Sequence, residues 1–267
     1  MHFVKMQGLG NDYVYLDCMA NTPENLSKLA VKASDRHLGI GSDGVICIFP
    51  SEKADFRMRM FNADGSEGEM CGNGIRCVGK FVYDRKLTSR QNITVETLAG
   101  VKTLHLEVIQ GEVSSVTVDM GAPIPQAPRT LQILGRSYSI TPVSMGNPHA
   151  VTFFDGIDDL DLSTLGPSFE NHPSFPQRIN TEFVEVIDPA HLKMRVWERG
   201  SGETLACGTG ACAALTASVL AGKTERAAFI HLLGGELFVR WDENDGHIYM
   251  KGPAVTVFEG EWQADEK

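Results

Sequence analysis

The feature that most constrains this chain is a cysteine followed by two spaced glycines, a motif that occurs twice. It stands first as Cys71-Gly72-Asn73-Gly74 and again as Cys207-Gly208-Thr209-Gly210, an offset of 136 residues (207 − 71). The same offset places Gly10-Asn11 on Gly146-Asn147, Met58-Arg59-Met60-Phe61 on Met194-Arg195-Val196-Trp197, and Asn62 on Glu198. This period is far longer than the roughly 20–50 residues of a solenoid repeat. The sequence therefore predicts two similar domains around one pseudo-symmetric site.

The charge of the chain excludes two classes of partner. Its 267 residues carry a net charge of −10, whereas nucleic acids and anionic membranes require a basic surface. No stretch approaches the roughly 18 apolar residues of a membrane span, and the first residues lack the apolar core of a signal peptide. We expect a cytoplasmic protein that acts on a small molecule, with neither nucleic acid nor membrane as a partner.

The chain contains six cysteines, at positions 18, 47, 71, 77, 207 and 212. In a cytosolic chain of this size, disulfides are not expected to hold the fold. A metal site is not expected either, because there is no Cys-x-x-Cys pair and no close pair of histidines to complete a zinc site. Four of the cysteines are interpreted as packing residues, which leaves Cys71 and Cys207 as the reactive thiols.

Cys71 and Cys207 each precede a helical pattern. Behind Cys71, apolar residues recur at helical spacing up to Val82, and behind Cys207 an alanine-rich stretch runs from Ala211 to a stop at Gly222. A helix N-terminus stabilises a thiolate and lowers the pKa of its cysteine. Two such thiols can act as a base on one face of a carbon and an acid on the other, as inversion of a stereocentre requires. No cofactor is expected, since nothing in the sequence demands a Schiff-base lysine.

Polar residues at turns and strand ends complete the candidate site. Asn11 and Asn147 occupy equivalent turns, and the pair Glu198-Arg199 ends the strand that repeats the one ending at Asn62. Turn formation or solvation is the ordinary role of such residues, but their repetition favours a site. His149 lies beside the second turn and is expected to support a thiol rather than to act as the base itself.

Two further predictions concern the scaffold. Thr22 followed by Pro23 is typical of a helix start, and apolar residues continue at helical spacing up to a stop at Gly39. Residues 121–128 contain three prolines and are expected to form a connection rather than an element.

Long motifs in both halves resemble the diaminopimelate epimerase family. They are Met60-Phe61-Asn62-Ala63-Asp64-Gly65-Ser66-Glu67, Met70-Cys71-Gly72-Asn73-Gly74-Ile75-Arg76-Cys77, Gly146-Asn147-Pro148-His149, and Glu198-Arg199-Gly200-Ser201-Gly202-Glu203-Thr204 with Ala206-Cys207-Gly208-Thr209-Gly210. The resemblance covers essentially the whole chain. It implies an α/β (α+β) fold of two pseudo-symmetric domains, each a curled, mostly antiparallel sheet or barrel around a central helix, with the active site in the cleft between them. The implied domains are residues 1–115, to which a C-terminal strand at about 253–267 returns, and residues 116–252.

The resemblance also implies an activity. It indicates a cofactor-independent isomerase, without pyridoxal phosphate, that interconverts LL- and meso-diaminopimelate on the route to lysine and peptidoglycan. Cys71 and Cys207 would be its acid/base thiols. The reacting carboxylate would be held by the amides of Gly72, Asn73, Gly208 and Thr209. The substrate, chiefly its distal amino-acid end, would be recognised by Asn11, Asn62, Asn147, Asn180 and Arg199, with Glu198 and the supporting His149 near the reacting centre. A second copy of the chain, in a homodimer, is the expected protein partner.

One position departs from the family pattern. Many members carry glutamine where this chain has Gly44, the residue that repeats onto Asn180, and the loss of a polar contact would loosen substrate choice. The first alternative is therefore a racemase of another amino acid, such as histidine, or one of broad specificity on the same fold. Proline racemases are disfavoured, because their first motif typically has histidine where Asn73 stands. Arg199 offers a site for a second carboxylate and favours diaminopimelate.

Two other classes of protein remain for comparison. A thiol redox protein usually shows a local Cys-x-x-Cys, which is missing here. An amino-acid binder would keep its ligand when either reactive cysteine is replaced by serine, whereas an epimerase would lose inversion.

Overall fold

The computed structural model describes residues 1–263, which divide into two compact units. The first comprises Met1–Val118 and the chain from Gly252 onward, and the second comprises Asp119–Lys251. Of the segment 253–267 that is predicted to return to the first domain, residues 264–267 lie outside the described part.

Strands and helices alternate along both halves of the chain. The first half contains β1 His2–Gly8, β2 Asn11–Asp17, α1 Leu26–Ser34, β3 Gly44–Phe49, β4 Phe56–Asn62, β5 Glu67–Gly68, α2 Gly72–Asp84, β6 Asn92–Thr97, β7 Gly100–Ile109 and β8 Glu112–Gly121. The second contains β9 Ile124–Pro125, β10 Arg129–Ile133, β11 Arg136–Ser144, β12 Pro148–Phe154, α3 Leu162–Glu170, β13 Asn180–Asp188, β14 His191–Glu198, β15 Gly202–Thr204, α4 Gly208–Leu220, β16 Ala227–Leu232, β17 Gly235–Trp241, β18 Ile248–Gly252 and β19 Val255–Glu261.

In the N-terminal unit, a sheet packs around α2. Strand β1 lies between β2 and β19 and is antiparallel to both, β3 runs parallel to β2, and β4 runs antiparallel to β3. Strand β6 runs parallel to β4, and β7 and β8 continue the sheet antiparallel. Helix α2 packs against β1, β2, β7 and β19 and buries Ile75, Val78, Phe81 and Val82. Each of these side chains contributes about 1.5–3 kcal/mol of burial free energy, which holds the helix in the centre of the sheet.

The C-terminal unit repeats this arrangement. Strands β11 and β12 are antiparallel, β12 and β13 parallel, and β13 and β14 antiparallel, after which β16 runs parallel to β14 and leads to β17 and β18. Helix α4 packs against β11 to β14, β16 and β17. It is apolar around its whole circumference, as expected of a helix that strands surround.

The offset of 136 residues governs the structure as well as the sequence. Helices α1 and α3 begin at Leu26 and Leu162, and helices α2 and α4 begin at Gly72 and Gly208. Strand register follows the same offset, since Tyr13 stands opposite Gly44 in the first half and His149 opposite Asn180 in the second. The mixed α/β fold, mostly antiparallel and with a central helix in each half, is therefore confirmed.

Helix α1 differs from its predicted bounds. The helix is capped by Asn25, whose side chain accepts a hydrogen bond from the Lys28 amide at 3.0 Å, and not by Thr22. It ends at Ser34, before the predicted stop at Gly39, because residues 35–38 form a separate turn closed by the Gly39 amide on the Asp35 carbonyl at 3.0 Å.

Two elements of the C-terminal unit have no counterpart in the sequence predictions. Helix α3 is one, because Gly166 and Pro167 interrupt the apolar pattern that would have revealed it. Strand β9 is the other: it lies in the stretch predicted to be a connection and pairs with β11 through Val143 and Ser144.

Candidate active site

Cys71 and Cys207 occupy the same backbone position in their respective units. Each is the N-cap of a buried helix, with φ −130° and ψ 118° at Cys71 and φ −124° and ψ 112° at Cys207. Each sulfur accepts a hydrogen bond at 3.3 Å, from the Gly74 amide or the Gly210 amide. The predicted location of both thiols at helix N-termini is correct, and an amide dipole points at each sulfur, the orientation that favours an anion.

The two thiol helices also place four predicted anion-binding amides. Gly72 and Asn73 form the start of α2, and Gly208 and Thr209 form the start of α4. Backbone N–H groups in a first helical turn point out of the helix end and make a ready site for a carboxylate.

In the N-terminal unit, Asn11 and Tyr13 contact the thiol. Cys71 donates to Oδ1 of Asn11 at 3.2 Å, while Nδ2 of Asn11 donates to Oδ2 of Asp43 at 2.8 Å. Tyr13 forms side-chain hydrogen bonds with both Asn11 and Cys71, and its pKa is raised by burial and by the nearby Cys71 and Asp43. Asp43 thus turns the amide oxygen of Asn11 toward the sulfur.

An ion-pair network lies behind Asn11. Arg36 bridges Asp12 and Asp43 at 2.9 Å each, and the buried Lys5 contacts Asp12 at 2.6 Å. Partial burial raises the pKa of Asp12, but hydrogen bonds from Arg36 and Lys5 outweigh it and hold that pKa below its usual value. The network fixes Asp43 and, through it, Asn11.

In the C-terminal unit, the thiol lies among acidic groups. Cys207 hydrogen-bonds to the Glu198 side chain and lies 3.5 Å from Oγ1 of Thr209. Oε1 of Glu198 also accepts from the Thr204 hydroxyl at 2.5 Å. Burial raises the pKa of Glu198, and burial followed by the charges of Glu198 and Glu182 raises the pKa of Cys207 well above its ordinary value.

His149 is fully buried between two side-chain oxygens of the same unit. Its Nδ1 lies 2.6 Å from Oε1 of Glu182, and its Nε2 lies 3.0 Å from Oδ1 of Asn147. Nδ2 of Asn147 in turn donates to Oγ1 of Thr209 at 3.2 Å. The structure therefore brings Asn147, His149 and Thr209 together beside Cys207.

Asn180 joins Arg199 in the same unit. Nδ2 of Asn180 donates to the Pro148 carbonyl at 2.8 Å, and its Oδ1 accepts from the Arg199 amide at 2.9 Å. The guanidinium of Arg199 is exposed and donates to the Gln177 carbonyl at 3.2 Å. Asn180 thereby braces the turn that carries Arg199.

Asn62 and Gly44 are neighbours across β3 and β4. Nδ2 of Asn62 donates to Oγ of Ser66 at 3.0 Å. A Cβ on Gly44 would lie 2.2 Å from the Phe61 carbonyl oxygen and 2.8 Å from Cε1 of Tyr13. Glutamine therefore cannot replace Gly44 on this backbone, and the departure from the family pattern is built into the local strand packing.

Three residues of the two half-sites were missed by the sequence predictions. Asp43 and Tyr13 lie in the first half, and Glu182 lies in the second. The available signal for Glu182 was a lone charge in the otherwise uncharged and mostly apolar start of β13, Thr181-Glu182-Phe183-Val184.

Residues 1–263 show three further properties. Within them, no group of three or more His, Cys, Asp or Glu side chains is placed to hold a metal ion. None of the six cysteines forms a disulfide. No helix in this range is long and apolar enough to cross a membrane.

Known proteins match the chain over nearly its full length. The family model described as Diaminopimelate epimerase matches residues 3–124 and 141–257. The diaminopimelate epimerase of Acetivibrio thermocellus is 58% identical over 279 residues, covering 100% of both chains. That of Methanococcus maripaludis strain C5 is 56% identical over 275 residues, covering 98% of this chain and 99% of its own.

A solved structure has the same fold at low sequence identity. A hydroxyproline epimerase from Agrobacterium vitis superposes with a TM-score of 0.71 at 14% identity, covering 97% of this chain and 90% of that one. The fold, the family match and the full-length identities agree. The chain belongs to the diaminopimelate epimerase family.

Proposed function

We propose that this protein is a cofactor-independent two-thiol isomerase that interconverts LL-2,6-diaminopimelate and meso-diaminopimelate, a step of lysine and peptidoglycan biosynthesis. The observation that carries the proposal is the repeated geometry of Cys71 and Cys207, each the N-cap of a buried helix with its sulfur 3.3 Å from an amide. Full-length relatives named for this activity support the choice of substrate.

The proposed reaction moves one proton off the α-carbon and another proton on. The thiolate of one cysteine removes the α-proton, and the thiol of the other delivers a proton to the opposite face. Charge from the broken C–H bond spreads onto the substrate carboxylate, which the first-turn amides of α2 and α4 stabilise. One proton leaves and one arrives, so the balance requires no oxidant or reductant.

Each thiol has an acceptor that can hold its proton before transfer. Asn11 accepts from Cys71 at 3.2 Å, and the Glu198 carboxylate hydrogen-bonds to Cys207. His149 takes a supporting role, since its ring contacts Asn147 and Glu182.

Substrate recognition is assigned to the polar residues around the two thiols. The exposed guanidinium of Arg199 suits the distal carboxylate, to which arginine can bind in a bidentate manner. Asn11, Asn62, Asn147 and Asn180 provide the remaining amide groups, and Glu198 lies next to the reacting centre.

The proposal includes the organisation of the molecule. The two compact units would be the two epimerase domains, acting on one substrate from opposite faces. The protein would work in the cytoplasm as a homodimer.

The test is incorporation of solvent deuterium at the α-carbon of LL-diaminopimelate, followed by NMR under reducing conditions without pyridoxal phosphate. Exchange with this substrate and not with L-histidine, L-glutamate, L-lysine or L-proline is the expected result. Faster exchange with one of those amino acids would move the function to a racemase, and no exchange with any would overturn the proposal.

Three variants assign the activity to the thiols. Cys71→Ser and Cys207→Ser are each expected to abolish inversion. Cys212→Ala removes a buried thiol from the same helix that Cys207 caps and is expected to retain it. Full epimerase activity in either serine variant would contradict the two-thiol mechanism, and retained substrate binding in both would show that the fold survives.

A further inference from the structure

The two half-sites have matching backbones but different charges beneath the thiol helices. The residue that repeats Ile46 of β3 is Glu182 of β13. A Cβ on Gly74 would lie 2.7 Å from Cδ1 of Ile46, and a Cβ on Gly210 would lie 2.7 Å from Oε1 of Glu182. A carboxylate therefore fills, under α4, the place that a hydrocarbon side chain fills under α2.

Glu182 is a costly residue in this position. It is fully buried, and within the described residues its Oε2 has no hydrogen-bond partner. Burying a carboxylate with one oxygen unsatisfied opposes folding, and a hydrocarbon of similar volume would avoid that cost. The N-terminal half shows that the fold accepts isoleucine at the equivalent place, so the architecture alone does not require the charge.

The occupied oxygen of Glu182 begins a chain of contacts that ends at the thiol. Oε1 contacts Nδ1 of His149, Nε2 of His149 contacts Oδ1 of Asn147, and Nδ2 of Asn147 donates to Thr209 beside Cys207. Oxygen acceptors flank the ring on both sides, so both ring nitrogens act as donors. Glu182 thus holds the imidazole in the state in which it can donate to Asn147.

Glu182 also lies close to the sulfur itself. The position of a Cβ on Gly210 is 2.7 Å from Oε1 of Glu182 and 3.3 Å from Sγ of Cys207, so these two atoms are separated by no more than those distances combined, 6.0 Å. A negative charge within about 4–6 Å disfavours a thiolate. Among the described residues of this unit, the charged groups facing Cys207 are Glu182 from β13 and Glu198 from β14, with His149 of β12 behind Glu182. The equivalents of the two glutamates in the first half are the uncharged Ile46 and Asn62.

We propose that Glu182 is a positioning residue of the C-terminal half-site, which holds His149 against Asn147 and keeps the resting proton on Cys207. The proposal rests on the proposed function, because it assigns Cys207 as the proton donor of the resting enzyme. The pseudo-symmetric pair of thiols then starts each turnover in one defined state, in which the acidic half of the molecule supplies the proton.

The test follows the ionisation of Cys207 directly. Protein labelled with 13C at the cysteine Cβ is titrated by NMR, and the Cys207 signal is assigned from its loss in Cys207→Ser. In Glu182→Gln, the Cys207 signal is expected to titrate at least about one pH unit lower than in the wild type, because one of two nearby negative charges is gone. Glu185→Gln removes a half-buried carboxylate from the same strand and is expected to follow the wild-type curve.

A second readout separates positioning from a merely structural role. In the 15N spectrum, His149 is expected to lose one of its two ring protons in Glu182→Gln, while kcat for epimerisation falls about 10-fold or more with KM within about twofold, as for other residues that orient a catalytic side chain. An unchanged Cys207 titration in a folded Glu182→Gln protein would overturn the proposal. If Glu182→Gln does not fold, Glu182→Ile, which copies the first half, undergoes the same titration and decides by the same shift. The titration needs no substrate, so its failure is distinct from a failure of epimerase activity in the deuterium exchange.

Discussion

At the scale of single residues, the two thiols share a backbone environment and differ in their side-chain partners. The repeat revealed Cys71 and Cys207 from sequence because both copies kept the same chemistry. It did not reveal Tyr13, because the equivalent residue is His149 and two unlike side chains fill one place. Sequence comparison between halves finds what is retained, whereas partners that have diverged require the folded chain to bring them to the sulfur.

Tyr13→Phe tests the partner of Cys71 that the sequence did not reveal. The change removes the hydroxyl that hydrogen-bonds with Asn11 and Cys71 while keeping the buried ring. Loss of one such bond costs about 0.5–1.5 kcal/mol, so we expect kcat to fall by up to about tenfold. Steady-state kinetics on LL-diaminopimelate measure the effect. Tyr138→Phe keeps a ring that packs against Phe169 in the other unit and is the control. An unaltered kcat in Tyr13→Phe would show that the hydroxyl plays no part in catalysis.

At the scale of elements, the offset was more informative than local patterns. Helix α3 begins at Leu162 and ends at Glu170, which are the positions that α1 predicts from Leu26 and Ser34 by the offset of 136. Apolar spacing alone missed it, since Gly166 stands where α1 has an alanine. The cap also repeats: Asn25 and Asp161 both accept from an amide three residues on. Duplication therefore predicts an element even where its own residues obscure it.

Helix α3 has a role in positioning the Arg199 turn, through its last residue. Oε1 of Glu170 accepts from the Gly200 amide at 2.9 Å and from Arg178 at 2.9 Å, and Oε2 accepts from Nε1 of Trp197 at 2.8 Å. Glu170→Gln replaces one acceptor with a donor and leaves a buried N–H without a partner, at a cost of about 1–3 kcal/mol.

We expect Glu170→Gln to raise KM for diaminopimelate about fivefold or more while kcat stays within about twofold, because substrate binding depends on where Arg199 lies and proton transfer does not. Ser168→Ala, on the exposed side of the same helix, is the matched control. A change confined to kcat would place Glu170 in the chemical step and contradict this reading.

At the scale of the whole molecule, the duplication sets the backbone and the substitutions set the electrostatics. Bidentate ion pairs repeat, with Arg59 on Glu67 in one half and Arg195 on Glu203 in the other. Register departs from the offset farther along the chain: Phe56 stands opposite Val95, whereas its equivalent Leu192 stands opposite Ile230. That slip of one residue follows the thiol helices, so the symmetric part of the fold is the part that carries the site.

Acid is expected to destabilise the protein through carboxylates whose pKa is lowered in the folded state. Burial raises the pKa of Asp12, but Arg36 and Lys5 outweigh it, and hydrogen bonds from Arg59 lower the pKa of Glu67. A lowered folded pKa stabilises above the unfolded value of about 4, and that contribution is lost as the pH falls through the folded value. Urea unfolding should therefore give a smaller free energy of unfolding at about pH 3 than at about pH 6. Asp12→Asn should be less stable than the wild type at neutral pH by about 2 kcal/mol and should lose less on acidification.

Glu198 acts in the opposite direction, and this makes the acid response a test of the C-terminal half-site. Burial raises its pKa, so its folded form binds a proton more readily than the unfolded chain does. A raised folded pKa contributes stability that is present below the unfolded value and is lost as the pH rises through the folded value. Protonation of Glu198 therefore offsets part of the loss caused by Asp12 and Glu67. In Glu198→Gln that offset is gone, and the free energy of unfolding should fall more steeply between about pH 6 and pH 4 than in the wild type. A shallower fall in Glu198→Gln would mean that the carboxylate is not held near its neutral form by burial, and the acidic surroundings assigned to Cys207 would have to be revised.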